Sequence, residues 1–265
     1  MTHPLITQDH IDAYQRDGAV LIKGLFADHV DTIRKGIEVN MTEPGTYAAE
    51  NLQAGEGGRF FDDYCNWQRL PALKQVIYES EAGRVAAALM RSQSAQLFHD
   101  HVLVKEPGTS KPTPWHQDAP YYFVEGEQTV SFWSPVDAVT DATLRCVAGS
   151  HRWEKPVLPV KWLKEDSFYA DDDAYMAIPD PDAEGMKVLE WEMEPGDAVA
   201  FNYKTLHGAR GNNAAARRRA FSLRLVGDDA RYVERPGRTS PPYPGHDMVA
   251  GQKLREDWFP VIWSR

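Results

Sequence analysis

Three side chains that bind transition metals stand at two places in the sequence. The first place is the triplet His116-Gln117-Asp118, where residues two apart on a strand would point to the same face. The second place is His207, 89 residues after Asp118. Two imidazoles and one carboxylate on one face of a metal leave three positions open, as in non-haem Fe(II) oxygenases. These residues predict an iron centre, although a His-X-Asp triplet alone also occurs on solvated turns.

The sequence after His207 contains a candidate anion-binding residue. Arg218 lies 11 residues beyond His207, after a turn rich in Gly and Asn. We expect a hairpin of this length to return the next strand beside the first, which would place Arg218 near His207. A guanidinium group binds a carboxylate through two parallel hydrogen bonds, so Arg218 is expected to hold the distal carboxylate of 2-oxoglutarate. The alternative is a solvated charge in the basic run 217–219.

A competing metal site is the triplet His99-Asp100-His101. Its two histidines would also share one face of a strand, and with the carboxylate they would form a comparable ligand set. No arginine follows this triplet at the distance of a hairpin. The triplet is therefore kept as an alternative to the first site.

The first part of the chain is predicted to be mainly helical. Apolar residues recur with helical spacing in segments 7–17, 27–41 and 72–91. Between the first two segments, residues 19–26 form a short apolar run that is typical of a buried strand. Residues 44–63 are rich in Gly, Glu and Asp and are predicted to be a long loop, of the kind that often serves as a lid or binding segment.

From residue 95 onward the sequence favours β-structure. Short β-branched or aromatic segments are separated by Gly, Pro and Asp, and they read QLFHDHVLVK, QTVSFWSPV, LRCVAGS, DAVAFNY and RAFSLRLV. Such spacing is typical of a sandwich or barrel. We expect a single domain over residues 1–265, with a helical part at 1–94, a β core at 95–235, an insertion at 152–190 and a tail at 236–265.

Composition excludes several classes of protein. The chain has 265 residues, 42% of them hydrophobic, which suits one large domain with a buried core. Cys65 and Cys146 are too few for a disulfide framework, so a reduced, cytoplasmic location is expected. The segment MTHPLITQDHID lacks the basic segment and apolar run typical of a signal peptide, and the sequence has no apolar run of about 18 residues, so no membrane association is expected. A formal net charge of −10 disfavours nucleic acid as a partner.

Several motifs together resemble those of the phytanoyl-CoA dioxygenase family of 2-oxoglutarate oxygenases. The resemblance runs from Ile11 to Leu225 and is carried by RDGAVLIKGLF, KEPGTSKPTPWHQD, SFWSPVD, VAGSH and EPGDAVAFNYKTLHGARGN, followed by the arginine. It implies a mainly β fold with N-terminal helices, a cupin-like double-stranded β-helix or jelly roll. It also implies a hydroxylase that uses Fe(II), 2-oxoglutarate and O2, with ascorbate helpful in vitro, and with the iron held by His116, Asp118 and His207.

The resemblance further implies contacts to the cosubstrate. Arg218 matches the arginine that pairs with the distal carboxylate, and Trp133 matches a tryptophan on the barrel wall beside 2-oxoglutarate. His101 and Thr113 fall where other residues approach it. Related halogenases have Ala or Gly in place of Asp118, so a carboxylate there favours hydroxylation.

The expected substrate is a small polar metabolite, since the chain resembles bacterial relatives that hydroxylate 2-aminoethylphosphonate. Candidate substrate contacts are Tyr121, Tyr122, Arg59, Tyr64, Asn66 and Trp67. An acyl-CoA or a natural product remains an alternative substrate. A cupin-type metalloenzyme that does not use 2-oxoglutarate and a binding protein without catalysis remain alternative functions. The protein is expected to be a monomer or a homodimer with no macromolecular partner.

Overall fold

A computed structural model describes residues 4–53, 55–141, 143–163, 166–169 and 173–265. Its α-helices are α1 (Gln8–Asp17), α2 (Val30–Thr42), α3 (Pro71–Glu79) and α4 (Ala82–Met90). Its strands are β1 (Ala19–Ile22), β2 (Ala49–Glu50), β3 (Phe60–Tyr64), β4 (Ser94–Lys105), β5 (Thr113–His116), β6 (Val124–Glu125), β7 (Thr129–Pro135), β8 (Leu144–Val147), β9 (Val188–Glu190), β10 (Ala198–Phe201), β11 (His207–Ala209), β12 (Arg218–Val226), β13 (Arg231–Tyr232) and β14 (Val261–Ser264).

Two antiparallel sheets form the body of the fold. The larger sheet has the order β1-β10-β7-β12-β4-β3-β2, with β14 also paired to β4, and the smaller sheet has the order β5-β11-β8-β9. Side chains of the two sheets meet between them, as Trp133 and Ala220 of the larger sheet do with Leu144 and Cys146 of the smaller. The predicted mainly β, cupin-like fold with helices at its start is confirmed.

The helices cover the outer face of the larger sheet. Phe221, Leu223 and Leu225 of β12 pack outward against apolar residues of these helices, such as Ile33 of α2 and Val85 of α4. Burying one such side chain is worth about 1.5–3 kcal/mol, so a slip of one residue along β12 would be strongly unfavourable. The residues that alternate with these three along β12, beginning with Arg218, therefore lie on the inner face.

Gly18 links the end of α1 to the chain that precedes His207. Its φ of 77° is left-handed, and a side chain on it would lie 2.6 Å from the hydroxyl oxygen of Thr205, so only glycine fits. Its carbonyl accepts hydrogen bonds from the backbone N–H of Asn202 at 2.9 Å and from the hydroxyl of Thr205 at 2.8 Å. The end of α1 thus positions the residues that lead into β11.

Some predicted elements differ from the observed ones. The predicted loop 44–63 contains β2 and all but the last residue of β3, which extend the larger sheet, because Phe60 and Phe61 are buried on its two faces beside β4. The division of the chain at residues 94 and 235 stays a prediction. Strands β1 and β14, which lie beyond those limits, belong to the larger sheet.

Residue 54 of the predicted loop, and residues 164–165 and 170–172 of the predicted insertion, lie outside the described residues. In the parts of the chain that are described, no helix is long and apolar enough to cross a membrane. Both cysteines are free thiols.

Candidate metal centre

Two neighbouring strands of the smaller sheet bring three side chains to one point. His116 ends β5, Asp118 follows two residues later, and His207 begins β11 directly opposite His116. Their ligand atoms all lie within 4.8 Å of one another, and all three residues are buried. Within the described ranges, this is the one set of three or more His, Cys, Asp or Glu side chains arranged in this way.

Backbone hydrogen bonds determine which nitrogen each histidine presents. Nδ1 of His116 lies 2.7 Å from the carbonyl oxygen of Pro114, and Nδ1 of His207 lies 2.9 Å from that of Thr205. A carbonyl oxygen only accepts, so both Nδ1 atoms carry a proton and donate it. Each Nε2 therefore presents a lone pair, 3.8 Å from Oδ1 of Asp118. Three electron-pair donors that converge in this way fit a bound cation.

The protonation states also suit a metal. Burial, followed by the neighbouring His207, lowers the pKa of His116 to about 3, and burial lowers the pKa of His207. Burial alone would raise the pKa of Asp118, but Arg224 and the two histidines hold it below its ordinary value. Oδ2 of Asp118 also accepts a hydrogen bond from the hydroxyl of Ser131 at 3.0 Å. Two neutral imidazoles and one carboxylate suit Fe(II).

The competing triplet 99–101 is divided between the two faces of β4. His101 points inward, and its Nε2 lies 2.8 Å from Oδ2 of Asp62. Asp100 points outward, and its Oδ1 accepts from the backbone N–H groups of Asn66 at 2.9 Å and Trp67 at 3.0 Å. Because the carboxylate lies across the sheet from the imidazoles, these side chains do not form a metal site.

Arg218 lies inside the barrel, but the predicted hairpin beside His207 is wrong. Both edges of β11 are occupied by β5 and β8, so β12 pairs with β4 and β7 in the other sheet. The guanidinium of Arg218 lies over the indole of Trp133, 5.5 Å from the ring centroid. Trp133 belongs to the same buried cluster as Phe201, whose ring centroid is 4.4 Å from that of His207. Aromatic side chains therefore connect Arg218 to the metal centre.

Lys105 is a second buried cation at this end of the barrel. It lies opposite Arg218 in the pairing of β4 with β12 and is completely buried. Its ammonium group donates to the carbonyls of Lys111 at 2.9 Å and Arg210 at 3.2 Å, and it lies 4.3 Å from the centroid of the Phe60 ring. Burial, followed by the positive charge of Arg218, lowers the pKa of Lys105 to about 6. An anion bound here would favour the charged form of Lys105.

The other two predicted cosubstrate contacts lie on different sheets. Thr113 is buried at the start of β5, opposite Ala209. His101 is buried on β4, where it bonds to Asp62. Whether either residue contacts a cosubstrate stays a prediction.

A cavity of about 300 Å³ opens beside His116 and Asp118. The walls are largely aromatic and polar, and they come from β3, β4, β12 and the segment after β5. Residues 160–163 of the insertion line one side of the cavity, and residues 47–51 of the predicted loop contribute to the wall as well. Both segments therefore shape the cavity.

Half of the predicted substrate contacts line this cavity, namely Tyr64, Tyr121 and Tyr122. The hydroxyl of Tyr64 lies 3.0 Å from that of Ser240. The hydroxyl of Tyr121 donates to the carbonyl of Val160 at 2.7 Å and accepts from the N–H of the same residue at 2.8 Å. Tyr121 thus attaches the insertion to the segment that follows the metal ligands.

The remaining predicted contacts lie outside the cavity. The guanidinium of Arg59 pairs with Glu50 at 2.7 Å and lies over the ring of Phe61. Asn66 accepts a hydrogen bond from Arg69, and Trp67 packs in the core between the helices and the sheet. The chain turns at Cys65, whose φ is 62°, and this turn carries residues 66 and 67 away from the inner face.

Two buried cations were missed by sequence reasoning. Arg224 lies on the cavity wall, and its Nε is 3.6 Å from Oδ2 of Asp118. The signal for it was present, because Arg218 and Arg224 are six residues apart and an even spacing places both on one face of a strand. Lys105 lies four residues after His101 on β4 and follows the same rule, but a lysine at the end of a strand is usually solvated.

Solved structures share this fold. The non-haem alpha-ketoglutarate-dependent carbocyclase SnoK from nogalamycin biosynthesis is 23% identical, with a TM-score of 0.74 over 97% of this chain and 96% of that chain. The epimerase SnoN, solved in complex with Fe3+, alpha-ketoglutarate and nogalamycin RO, is 20% identical, with a TM-score of 0.76 over 97% of this chain and 98% of that chain. EctD from S. alaskensis, solved with 2-oxoglutarate and 5-hydroxyectoine, is 18% identical, with a TM-score of 0.67 over 92% of this chain and 84% of that chain.

Sequence comparison extends the likeness from fold to family. A probable phytanoyl-CoA dioxygenase from Caenorhabditis elegans is 28% identical over 217 residues, and the match covers 78% of this chain but 65% of that relative's length. The model of the phytanoyl-CoA dioxygenase (PhyH) family matches residues 14–220, a range that contains all three residues of the metal centre. The predicted enzyme class, a non-haem iron and 2-oxoglutarate-dependent dioxygenase, is the class of this family. The chain belongs to the phytanoyl-CoA dioxygenase family.

Proposed function

We propose that this protein is an Fe(II)- and 2-oxoglutarate-dependent dioxygenase that hydroxylates an unactivated C–H bond of a small polar metabolite. The observation that carries the proposal is the convergence of two Nε2 lone pairs on Oδ1 of Asp118, each at 3.8 Å, in a buried pocket. These donors fit Fe(II) and leave positions for the cosubstrate and O2.

The residues of the centre hold and orient the reactants. His116, Asp118 and His207 would bind the iron, and the carbonyls of Pro114 and Thr205 keep both imidazoles in the required tautomer. When iron is bound with its cosubstrate, it would supply oxidative chemistry that consumes O2: one oxygen atom enters succinate as 2-oxoglutarate loses CO2, and the other enters the substrate as a hydroxyl group.

The second carboxylate of 2-oxoglutarate would lie at the Arg218 end of the barrel. Arg218 and Lys105 are adjacent buried cations there, and Trp133 forms the wall between Arg218 and the cluster around His207. A guanidinium offers two parallel donors to a carboxylate, and an ammonium adds a point charge. Thr113 and His101 remain proposed contacts to the same molecule.

The cavity supports a small substrate. Its volume of about 300 Å³ lies at the lower end of the range for small-molecule pockets. Tyr64, Tyr121 and Tyr122 place hydroxyl groups among apolar ring surfaces there, which suits a compact polar molecule better than a long acyl chain. Arg59, Asn66 and Trp67 do not line the cavity. We therefore assign the substrate contacts to the three tyrosines.

A substrate panel tests this function. Purified protein with Fe(II), ascorbate and 2-oxoglutarate should form succinate only when a substrate is present, and the product should gain one oxygen atom. The panel should contain small amino acids, aminophosphonates, acyl-CoA esters and aromatic glycosides. Asp118→Ala provides the inactive control. Succinate formed with acyl-CoA esters or glycosides alone would reject a small polar substrate, and oxidation without consumption of 2-oxoglutarate would indicate a cupin-type enzyme.

The wider organisation is proposed from the sequence. A single domain, a monomer or homodimer, and a cytoplasmic location are all consistent with a metabolic enzyme of 265 residues and two free cysteines. Size-exclusion chromatography with light scattering determines the oligomeric state.

A further inference from the structure

Arg224 is a buried cation on the wall of the cavity that contains the metal centre. It lies on β12 opposite His99 of β4, is 5% exposed, and lines the cavity together with Tyr122. Its Nε donates to the hydroxyl of Tyr122 at 3.0 Å and lies 3.6 Å from Oδ2 of Asp118. Both contacts are made through the same nitrogen, so they use only part of a guanidinium that has five N–H donors.

The rest of the guanidinium is incompletely bonded. Nη1 of Arg224 is buried and has no hydrogen-bond partner among the described residues. A buried donor that lacks a partner is destabilising, and the cost is larger for a charged group. Because Arg224 lines the cavity, a ligand bound there would complete this bonding.

The charges of the neighbouring side chains show why Arg224 is the cation that would face a ligand here. Burial, followed by the charge of Arg224, lowers the pKa of His99 well below its ordinary value, so this imidazole is neutral. The carboxylate of Asp62, on the same cavity wall, already accepts from Asn51 at 2.5 Å and lies 2.8 Å from Nε2 of His101. Once Asp118 binds a metal, its negative charge is shared with that metal. A further anion beside Arg224 would then stabilise its buried charge.

We propose that the substrate carries a carboxylate and that Nη1 of Arg224 binds it inside the cavity. This inference rests on the proposed function and makes the substrate class more specific. Arg224 lies outside residues 14–220, which the family model matches. A carboxylate bound at this wall would lie beside the metal ligand Asp118. This position would direct the attached carbon chain toward the metal centre.

Matched acids and amides test the proposal. The protein is loaded with Fe(II) and saturating 2-oxoglutarate under nitrogen, and the dissociation constants of butyrate, pentanoate and hexanoate are compared with those of their primary amides. We expect the wild type to bind an acid at least about tenfold more tightly than its amide, as one charge-assisted hydrogen bond implies. Arg224→Met should lose this preference, and Arg224→Lys should keep part of it.

A control variant separates this role from a structural one. Arg219 is on the same strand but pairs outside the barrel with Asp137, so Arg219→Met should keep the full preference for acids. If no acid binds more tightly than its amide, or if Arg224→Met retains the preference, the inference is overturned. It is also overturned if Arg224→Met loses iron, since Arg224 would then act by positioning Asp118. Failure of the proposed function looks different, because the wild type itself would then form no complex with iron and 2-oxoglutarate.

Discussion

Arg218 and Arg224 lie at opposite ends of one strand, on the same inner face, and their surroundings differ. Burial lowers the pKa of Arg218 to about 10, and its nearest charged neighbour across the strand pair is another cation, Lys105. Burial also acts to lower the pKa of Arg224, but Tyr122 and Asp118 raise it above the ordinary value. One end of β12 thus concentrates positive charge, while the other places a cation beside a metal ligand.

This difference suggests that one strand serves two ligands. A dicarboxylate cosubstrate suits the end with two cations, and a substrate with one carboxylate suits the end beside the metal. Ala220 and Ser222 lie between the two arginines on the inner face, and Ala220 packs there against Leu144 and Cys146 of the smaller sheet, so apolar side chains separate the two ends. Substitutions at the two ends of β12 and at the metal centre test this division.

The largest expected effect is the loss of the centre itself. His116→Ala or His207→Ala should abolish turnover and iron binding together, because two remaining ligands hold Fe(II) too weakly. Metal analysis and succinate formation measure both effects, and circular dichroism checks that the sheets persist. Near-wild-type turnover in either variant would remove that histidine from the set of iron ligands.

Asp118→Gly tests the third ligand. The variant removes both a ligand bond and a negative charge that lies 3.6 Å from Nε of Arg224, so hydroxylation should be lost. Chloride rescue is not expected without other changes. Unchanged hydroxylation would mean that Asp118 does not bind the iron.

Arg218→Lys should affect the cosubstrate and spare the substrate. The lysine keeps the charge but loses the paired geometry, and charge-assisted hydrogen bonds are worth roughly 1.5–3 kcal/mol. The KM for 2-oxoglutarate should therefore rise about ten- to a hundredfold, since each 1.4 kcal/mol is about tenfold. The substrate KM should change much less. An equal rise in both constants would mean that the two ends of β12 do not serve separate ligands.

The sequence predicted what depends on local spacing. Residues two apart share a face of a strand, and from this rule His116 and Asp118 were expected to converge. They do converge, although β5 ends at His116 and Asp118 follows it in helical backbone conformation. The same rule holds along β12, where Arg218 lies inside and its two neighbours outside. Hydrophobic periodicity likewise predicted α1, although Ile11 and Tyr14 alone do not determine where that helix packs.

Pairing between distant strands was not predictable in the same way. Arg218 was placed near His207 by a hairpin that does not form, because β5 and β8 already occupy both edges of β11. Asn66 and Trp67 were placed at the substrate, but the left-handed turn at Cys65 takes them to the outer face. Such features depend on the whole sheet, and a short sequence window does not contain that information.

Lys105→Met should have a smaller effect that depends on pH. Lys105 has a pKa of about 6 in the protein, below its ordinary value, and a bound dicarboxylate would raise it. Binding of 2-oxoglutarate would then take up a proton above pH 6, so the contribution of Lys105 weakens as pH rises. We expect Lys105→Met to bind 2-oxoglutarate about tenfold more weakly than the wild type at pH 6, with the ratio approaching one by pH 8. A ratio that does not vary with pH would place Lys105 away from the cosubstrate.

The smallest effects are expected from the arginines that flank Arg218. Arg217 pairs with Glu106 at 2.8 Å, Arg219 pairs with Asp137 at 2.6 Å, and both reach Glu38 of α2 on the outside of the barrel. Partly exposed ion pairs contribute about 0–1 kcal/mol. Arg217→Lys and Arg219→Lys should therefore change the KM for 2-oxoglutarate by less than about threefold and lower the unfolding temperature only slightly. A large rise in that KM for either variant, with none for Arg218→Lys, would place the cosubstrate outside the barrel and would contradict the inner-face alternation of β12.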